Sequence, residues 1–228
     1  MSVPVPDVAA NLSAVRARIT AAAHRSGRDP CEVTLVGATK TVPPALLRRA
    51  LAAGLVDLGE NRAQELLGKA PGLAGADPPP SWHFLGRLQR NKVAALARWV
   101  TLWHAIDRIE LGVVLARRAP GARLLVSVNI GGEPQKGGCS PASVPGLVDE
   151  LHELGLGVAG LMTVPPQDHD PRPYFAAVRD IGARLALEEL SMGMSQDYEM
   201  AIDEGATIVR VGRAIFGERD PHSGESRQ

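Results

Sequence analysis

A lysine at the end of an apolar run is the residue of this sequence with the clearest potential for chemistry. The run spans residues 33–40 and ends at Lys40. If the run is a buried strand, the lysine stem is packed and its ammonium is partly desolvated, which favours the neutral amine. A neutral amine can attack a carbonyl and form an imine. The alternative is an ordinary solvated lysine at a strand end, as most lysines are.

Five further residues with chemical potential follow later apolar runs. They are Asn61, Ser191, Ser195, Arg210 and Gly212. Ser195 is predicted to begin a helix, where a hydroxyl and backbone N–H groups can hold an anion, and Gly212 lets the backbone approach a phosphate closely. Arg210 stands between two valines, so we expect its guanidinium to be buried and to need a partner.

Several of these residues also have an ordinary structural interpretation. Ser195 and Asn61 can be helix N-caps, and Glu60 and Glu65 can complement the dipole of the helix that follows them. His83, inside an apolar run, is expected to be a packed strand histidine rather than a catalytic one.

The elements that would position these residues are short apolar runs alternating with amphipathic stretches. The predicted strands are Thr34–Thr39, Leu55–Gly59, Ser81–Leu85, Thr101–Ile106, Arg123–Ile130, Gly157–Thr163, Glu189–Met192 and Thr207–Val211. Helical spacing predicts helices over Asp7–Arg25, Pro44–Ala53, Asn61–Lys69, Arg87–Ala97, Arg108–Arg118, Val144–Leu154, Pro173–Leu185 and Gln196–Asp203. The strands are apolar throughout, which is typical of parallel strands covered on both faces.

Eight βα units predict an α/β fold, a single-domain TIM (β/α)8 barrel whose functional residues lie where strands end. An open doubly wound sheet is the alternative, and the absence of G-x-G-x-x-G after the first strand disfavours it. We expect one domain over residues 1–228, with an extra N-terminal helix at 7–25, the barrel at 33–217 and a disordered tail at 218–228.

Such a barrel commonly binds a phosphate after its seventh and eighth strands. With an imine-forming Lys40 after the first strand, the layout indicates a ligand that carries an aldehyde and a phosphate at opposite ends. Pyridoxal 5′-phosphate fits this description, with its aldehyde at Lys40 and its phosphate at Ser195 and Gly212.

The composition disfavours other classes of partner. Lys and Arg total 25 and Asp and Glu total 25, which argues against a nucleic-acid or membrane-surface role. No apolar run has the length of a membrane span, and no signal peptide is visible. Cys31 and Cys139 match no disulfide or metal framework. We therefore expect a cytoplasmic protein that binds neither nucleic acid nor a metal.

The chain resembles the YggS/PROSC family of pyridoxal phosphate homeostasis proteins. Short motifs in the same order over nearly the whole chain carry this resemblance. They are Gly37–Lys40, Gly59–Asn61, Trp82–Gly86, Leu88–Lys92, Val128–Asn129, Gly160–Met162, Ser191–Ser195, Val209–Gly212 and Ala214–Gly217. Each motif is weak alone, and together they are specific.

The resemblance implies a barrel of the alanine racemase N-terminal type (pyridoxal phosphate fold type III), with the cofactor bound as a Schiff base on Lys40. It implies phosphate contacts from Ser195 and Gly212, a position near the pyridine nitrogen for Arg210, and a pocket lined by Asn61 and Ser191. Arg213 departs from the family pattern, in which a small hydroxyl residue is expected after Gly212.

Three functions are compatible with a lysine that binds a carbonyl. The protein can be a carrier that holds the cofactor and supplies it to pyridoxal phosphate-dependent apo-enzymes, a racemase-like or decarboxylating enzyme, or an aldolase acting on a phosphorylated sugar. The family resemblance disfavours the aldolase. A charged Arg210 beside the pyridine nitrogen keeps that nitrogen unprotonated and makes the ring a poorer electron sink, which argues against a decarboxylase.

A racemase also needs a second acid/base group opposite the lysine. Racemase-like enzymes take a tyrosine from a second domain rich in β-structure, whereas this sequence ends at Gln228, just past the eighth predicted strand. Tyr174 and Tyr198 both fall in predicted helices. We therefore expect a monomeric cofactor carrier with little or no turnover, with an amino-acid racemase-like enzyme as the alternative.

Overall fold

The structure is a computed structural model that describes residues 6–217. Its eight described strands close into one parallel barrel in the order of the sequence. They are β1 Thr34–Ala38, β2 Asp57–Glu60, β3 Ser81–Phe84, β4 Val100–Ile106, β5 Arg123–Val128, β6 Gly157–Thr163, β7 Glu189–Ser191 and β8 Ile208–Val211. The predicted TIM barrel is confirmed, and the open-sheet alternative is wrong because β1 pairs with β8.

Helices surround the barrel and connect its strands. They are α1 Val8–Arg25, α2 Pro44–Ala52, α3 Ala63–Leu73, α4 Val93–Leu96, α5 Ile109–Arg118, α6 Val144–Glu153, α7 Arg172–Arg184, α8 Tyr198–Asp203 and α9 Arg213–Phe216. The extra helix α1 is confirmed, and Asp7 caps it by accepting a hydrogen bond from the Ala10 N–H at 3.1 Å. It packs against α2, α8 and α9. The expected tail at 218–228 lies outside the described residues.

Three predicted helices differ from the structure by more than one residue at an end. The helix predicted over Arg87–Ala97 is a 3₁₀ turn, Arg90–Lys92, followed by one α turn. The helix predicted over Asn61–Lys69 begins at Ala63 and continues to Leu73, because Leu66, Ala70 and Leu73 keep burying one face and the helix tolerates Pro71. The helix predicted from Gln196 begins at Tyr198.

The apolar core lies mainly between the strands and the helices rather than inside the barrel. The outer layer contains the largest buried side chains, among them Trp82, Trp103 and Phe175. A small separate cluster lies inside the barrel and consists of Val36, Leu102, Ala105, Leu125, Met162 and Ile208. The rest of the described interior includes buried polar side chains, among them His83, His104 and Arg210.

Within the described residues, no helix combines the length and the apolar character that crossing a bilayer requires.

Candidate functional site

Lys40 lies in a tight turn directly after β1, at the carboxyl end of the barrel. Its side chain is only partly exposed. The next residue, Thr41, has φ of 64°, a left-handed conformation that is uncommon for a residue other than glycine. The Thr41 hydroxyl donates to the Lys40 carbonyl at 2.6 Å. Backbone strain of this kind is concentrated at functional sites.

A buried ionic cluster supports this turn from the side of α3. Lys69 Nζ donates to Glu60 Oε1 at 2.5 Å and to the Thr39 carbonyl at 2.8 Å. It also reaches Glu65 Oε2 at 3.1 Å, and that same oxygen accepts the Thr41 N–H at 2.7 Å. The cluster therefore ties the residues on both sides of Lys40 to the second strand and to α3.

Burial sets the charge properties of this cluster. Glu60 is 0% exposed, and its burial raises its pKa although Lys69 and Thr39 donate to it. Burial alone would also raise the pKa of Glu65, but the Thr41 N–H and the Lys69 ammonium hold it below its ordinary value. Glu60 Oε2 has no hydrogen-bond partner among the described residues.

This cluster was not predicted from the sequence. The alternative interpretation of Glu60, as a complement to the dipole of the following helix, is wrong because its carboxylate pairs with Lys69. The available signal was Lys69 itself, which falls between Leu66 and Leu73 on the apolar face of α3. A lysine at such a position requires an acidic partner.

Ser195 and Gly212 meet at the end of β8. The Gly212 N–H donates to Ser195 Oγ at 3.3 Å. Gly212 is also the residue before α9, whose first N–H groups have no partner within the helix. A Cβ at Gly212 would lie 3.0 Å from the Ala38 carbonyl oxygen, so a side chain there would crowd β1. A hydroxyl and converging N–H groups make this corner suitable for an anion.

The prediction that Ser195 begins a helix is wrong. The helix α8 begins three residues later, at Tyr198, and Asp197 precedes it. The Asp197 carboxylate instead accepts the Met194 N–H at 2.6 Å, which fixes the turn that presents Ser195. The serine therefore acts from a loop after β7.

Arg210 is buried inside the barrel, as predicted, with 6% of its surface exposed. Its Nη1 donates to Ser191 Oγ at 2.5 Å and to the Ser191 carbonyl at 2.7 Å, and its Nη2 donates to the Thr163 carbonyl at 2.9 Å. Burial lowers the pKa of Arg210 to about 10, against the effect of Asp197. The guanidinium is therefore charged at neutral pH and is held by three oxygen atoms.

Two histidines continue the Arg210–Ser191 hydrogen bond across the inside of the barrel. His104 Nδ1 lies 2.9 Å from Ser191 Oγ, and His104 Nε2 lies 2.9 Å from His83 Nδ1. His83 Nε2 lies 3.1 Å from Asp57 Oδ1. His83 is buried, as expected of a packed strand histidine. His104 was not predicted from the sequence, although both histidines occupy strand positions next to outward-facing tryptophans, Trp82 and Trp103.

Asn61 follows β2 and is exposed. The alternative interpretation of Asn61 as a helix N-cap is wrong, because Arg62 occupies that position without a side-chain cap. A Cβ on Gly86 would lie 1.8 Å from the Asn61 carbonyl oxygen, so the segments after β2 and β3 are in close contact. Asn61 therefore lies at the same rim as Lys40, beside it on the neighbouring strand.

The strand register brings the predicted site residues to one end of the barrel. Ala38 pairs with Gly59, and Gly37 pairs with Val211. Lys40 therefore lies between the strand that leads to Asn61 and the strand that leads to Gly212. Ser195 reaches Gly212, and Ser191 reaches Arg210, through the hydrogen bonds given above.

The side chains and N–H groups at this rim fit a ligand that carries an aldehyde and a phosphate. Lys40 can supply an amine for the carbonyl, and the corner of Ser195 and Gly212 can supply donors for the phosphate. Arg210 adds a fixed positive charge inside the barrel. No group of histidine, cysteine or acidic residues within residues 6–217 has an arrangement suited to a metal ion.

Comparisons with known proteins identify relatives of this chain. The family described as "Alanine racemase, N-terminal domain" matches residues 10–220. A pyridoxal phosphate homeostasis protein of Aquifex aeolicus is 45% identical over 222 residues, covering 91% of this chain and 96% of that protein. One of Pseudomonas aeruginosa is 42% identical over 223 residues, covering 93% and 96%. The structure of PipY from Synechococcus elongatus with pyridoxal phosphate bound has a TM-score of 0.79 and 32% identity, covering 92% of this chain and 100% of PipY.

Proposed function

Since the chain belongs to the alanine racemase N-terminal domain family, among the pyridoxal phosphate homeostasis proteins, we propose that it binds pyridoxal 5′-phosphate and serves in the homeostasis of this cofactor. The observation that carries the proposal is the placement of Lys40, on the strand next to Gly212, at the same end of the barrel as the Ser195 and Gly212 donors. The buried, charged side chain of Arg210 lies inside the barrel. The relatives' names and the structure of PipY with its cofactor support the same function.

We propose for each site residue a role that the family resemblance implies and that its position at this rim supports. Lys40 would hold the cofactor covalently as a Schiff base, Ser195 and the Gly212 N–H would bind the phosphate, and Arg210 would face the pyridine nitrogen. Asn61 and Ser191 line the pocket. Arg213, exposed at the start of α9, adds a positive charge near the phosphate in place of a small hydroxyl side chain.

The charge of Arg210 favours a carrier over an enzyme. When it is bound, pyridoxal phosphate supplies an electrophilic carbonyl and an electron-withdrawing ring. A protonated pyridine nitrogen is needed for the strongest electron withdrawal, and a guanidinium held by Ser191 and Thr163 oxygens opposes that protonation. The chain therefore binds the cofactor in a form that is poorly suited to stabilising a carbanion.

The positions of the two tyrosines also disfavour a racemase. The Tyr198 ring lies on the outer side of the barrel, where the Arg18 guanidinium of α1 is 5.3 Å from its centroid. Burial raises the pKa of Tyr198. Tyr174, in α7, contacts His169 edge to face. Neither ring provides an acid/base group at the Lys40 turn.

Three finer parts of the proposal concern partners and place. We infer that pyridoxal phosphate-dependent apo-enzymes receive the cofactor from this protein. We infer a monomer, which size-exclusion chromatography with light scattering tests. We infer a place in the cytoplasm, whose reducing conditions suit the two free thiols on Cys31 and Cys139.

A visible spectrum tests the central claim. The purified protein, after addition of pyridoxal phosphate and removal of the excess, should show the visible absorbance of a lysine-bound cofactor. Lys40→Ala should abolish it, and the matched control Lys92→Ala should keep it. A wild-type protein that gains no absorbance refutes cofactor binding at Lys40, and so does an unchanged spectrum in Lys40→Ala.

A transfer assay tests the carrier role. The loaded protein is mixed with a pyridoxal phosphate-dependent apo-enzyme, and the recovery of that enzyme's activity is followed over time. We expect recovery from the wild type. Rapid turnover of an amino acid by the purified protein itself would support the racemase-like alternative instead.

A further inference from the structure

Four side chains link Arg210 to the opposite end of the barrel. The contacts run from Arg210 to Ser191, His104, His83 and Asp57, with distances of 2.5, 2.9, 2.9 and 3.1 Å. We call this series the lumen chain. Asp57 is the first residue of β2 and 27% of its side chain is exposed, whereas Ser191 and His104 are 0% exposed.

The lumen chain crosses the interior of the barrel. His104 belongs to β4 and Ser191 to β7, and these strands are not neighbours in the closed barrel. A bond of 2.9 Å between them therefore passes through the lumen. Parallel barrels usually fill this space with branched apolar side chains. Buried polar groups in such a position require complete pairing, and the lumen chain provides it.

Its two ends fix the direction of every hydrogen bond. A guanidinium only donates and an ionised carboxylate only accepts, so His83 Nε2–H donates to Asp57. In a neutral His83 the other nitrogen, Nδ1, then accepts from His104 Nε2–H. His104 Nδ1 in turn accepts from the Ser191 hydroxyl, whose oxygen accepts from Arg210. All donors point from the arginine to the aspartate.

The surroundings of His104 support its neutral state, which this order requires. Complete burial lowers the pKa of His104 well below its ordinary value, and the nearby His83 and Arg210 lower it further. The charged and titratable groups facing the histidine pair are Asp57 from β2 and Arg210 from β8. Asp197, in the loop after β7, faces Arg210 itself.

We propose that Asp57, His83 and His104 are positioning residues that act through Ser191 to hold the Arg210 guanidinium in place, with the Asp57 carboxylate setting the direction of the hydrogen bonds. This inference rests on the proposed function, because it assigns Arg210 to the pyridine nitrogen of the cofactor. The Ser191 oxygen is a stronger acceptor for Arg210 because the Ser191 hydroxyl donates to His104. Hydrogen bonds in such a series strengthen one another.

Each hydrogen bond of the lumen chain depends on the direction of the next one. The Asp57 end of the barrel is therefore coupled to Ser191 Oγ, the atom that accepts from Arg210.

The cofactor-free protein tests the direction of the lumen chain. Long-range ¹⁵N–¹H NMR of ¹⁵N-histidine-labelled protein distinguishes the two neutral tautomers. Loss of a signal in His83→Gln or His104→Gln assigns it. We expect both histidines with hydrogen on Nε2 at pH 8. An Nδ1–H tautomer or an imidazolium at either position overturns the proposal.

Asp57→Asn tests whether the carboxylate sets the direction. An amide can donate as well as accept, so both orders become available and His104 should populate the Nδ1–H tautomer. Asp180→Asn is the matched control, since the Asp180 side chain is 59% exposed and pairs with Arg179. Unchanged tautomers in Asp57→Asn contradict the assigned role of Asp57.

The loaded protein tests the coupling to the cofactor. With ¹⁵N-labelled pyridoxal phosphate, the pyridine nitrogen resonance should shift in Asp57→Asn and stay in place in Asp180→Asn. Equal resonances in both variants overturn the coupling. If the wild type takes up no cofactor, the proposed function fails, while the histidine tautomers of the cofactor-free protein still decide whether the lumen chain is ordered as described.

Discussion

Replacing Lys69 with methionine should destabilise the protein by leaving Glu60 buried without its cation. Glu60 is 0% exposed, and Lys69 lies 2.5 Å from its Oε1. The carboxyl group then escapes the cost of a buried charge by taking up a proton. With an unfolded-state pKa near 4.5, that proton costs about 3.4 kcal/mol at pH 7 and about 0.8 kcal/mol at pH 5. The first figure agrees with the cost of roughly 3–5 kcal/mol for breaking a buried ion pair.

The sign of the pH dependence follows from linkage. In Lys69→Met the folded-state pKa of Glu60 rises further, so the penalty is present at pH 7 and disappears as the pH falls towards 4.5, where the unfolded chain is protonated too. Urea unfolding monitored by circular dichroism at pH 5 and pH 7 measures both free energies.

Two further variants complete this experiment. Glu60→Gln combined with Lys69→Met should recover most of the stability, because no buried charge remains. Lys92→Met is the control for loss of a lysine elsewhere. A loss below about 1 kcal/mol at pH 7, or equal losses at both pH values, would refute the reasoning, since either result is far from the cost of protonating a buried carboxyl group.

The remaining predictions concern single residues. Burial lowers the pKa of His104, so mainly the unfolded chain takes up a proton on this histidine as the pH falls. The free energy of unfolding should therefore decrease by about 1.2 kcal/mol from pH 6 to pH 5. Urea unfolding of His104→Gln should lack this part of the pH dependence. Gly86→Ala puts a Cβ 1.8 Å from a backbone oxygen and should cost about 1–3 kcal/mol; Gly72→Ala, which meets nothing within 4 Å, should cost nothing. Burial raises the pKa of Cys139 to about 11, so iodoacetamide at pH 8 should label exposed Cys31 first, and faster labelling of Cys139 would contradict this.

The barrel was predictable because its signals are local. Short apolar runs separated by helical spacing mark each βα unit. A glycine also follows two of the helices, and these residues, Gly54 and Gly155, have the positive φ of helix ends, 82° and 72°. Boundaries were predicted less well where a local pattern competes with packing. A proline disfavours a helix interior, yet α3 contains Pro71 because its apolar face continues past that residue.

Pairings between distant segments were not predictable from local patterns. Arg210 was expected to need a partner, but its partners on β6 and β7 depend on which strands face each other across the lumen. The same holds for Lys69 and Glu60, which are nine residues apart and on different elements. Sequence identifies a buried charge, and only the closed barrel supplies the oxygen atoms around it.

The division of the barrel into two layers has a consequence for how this chain tolerates substitutions. Alternate residues of each strand serve different purposes: those facing the helices contribute most of the apolar burial, while the small apolar cluster inside leaves room for the polar lumen. Changes on the outer face should therefore alter how much folded protein accumulates, whereas changes on the inner face should alter ligand affinity in a protein that still folds. Neighbouring positions on one strand can then evolve under separate constraints, and an engineer can redesign the lumen of this barrel while leaving its outer layer intact.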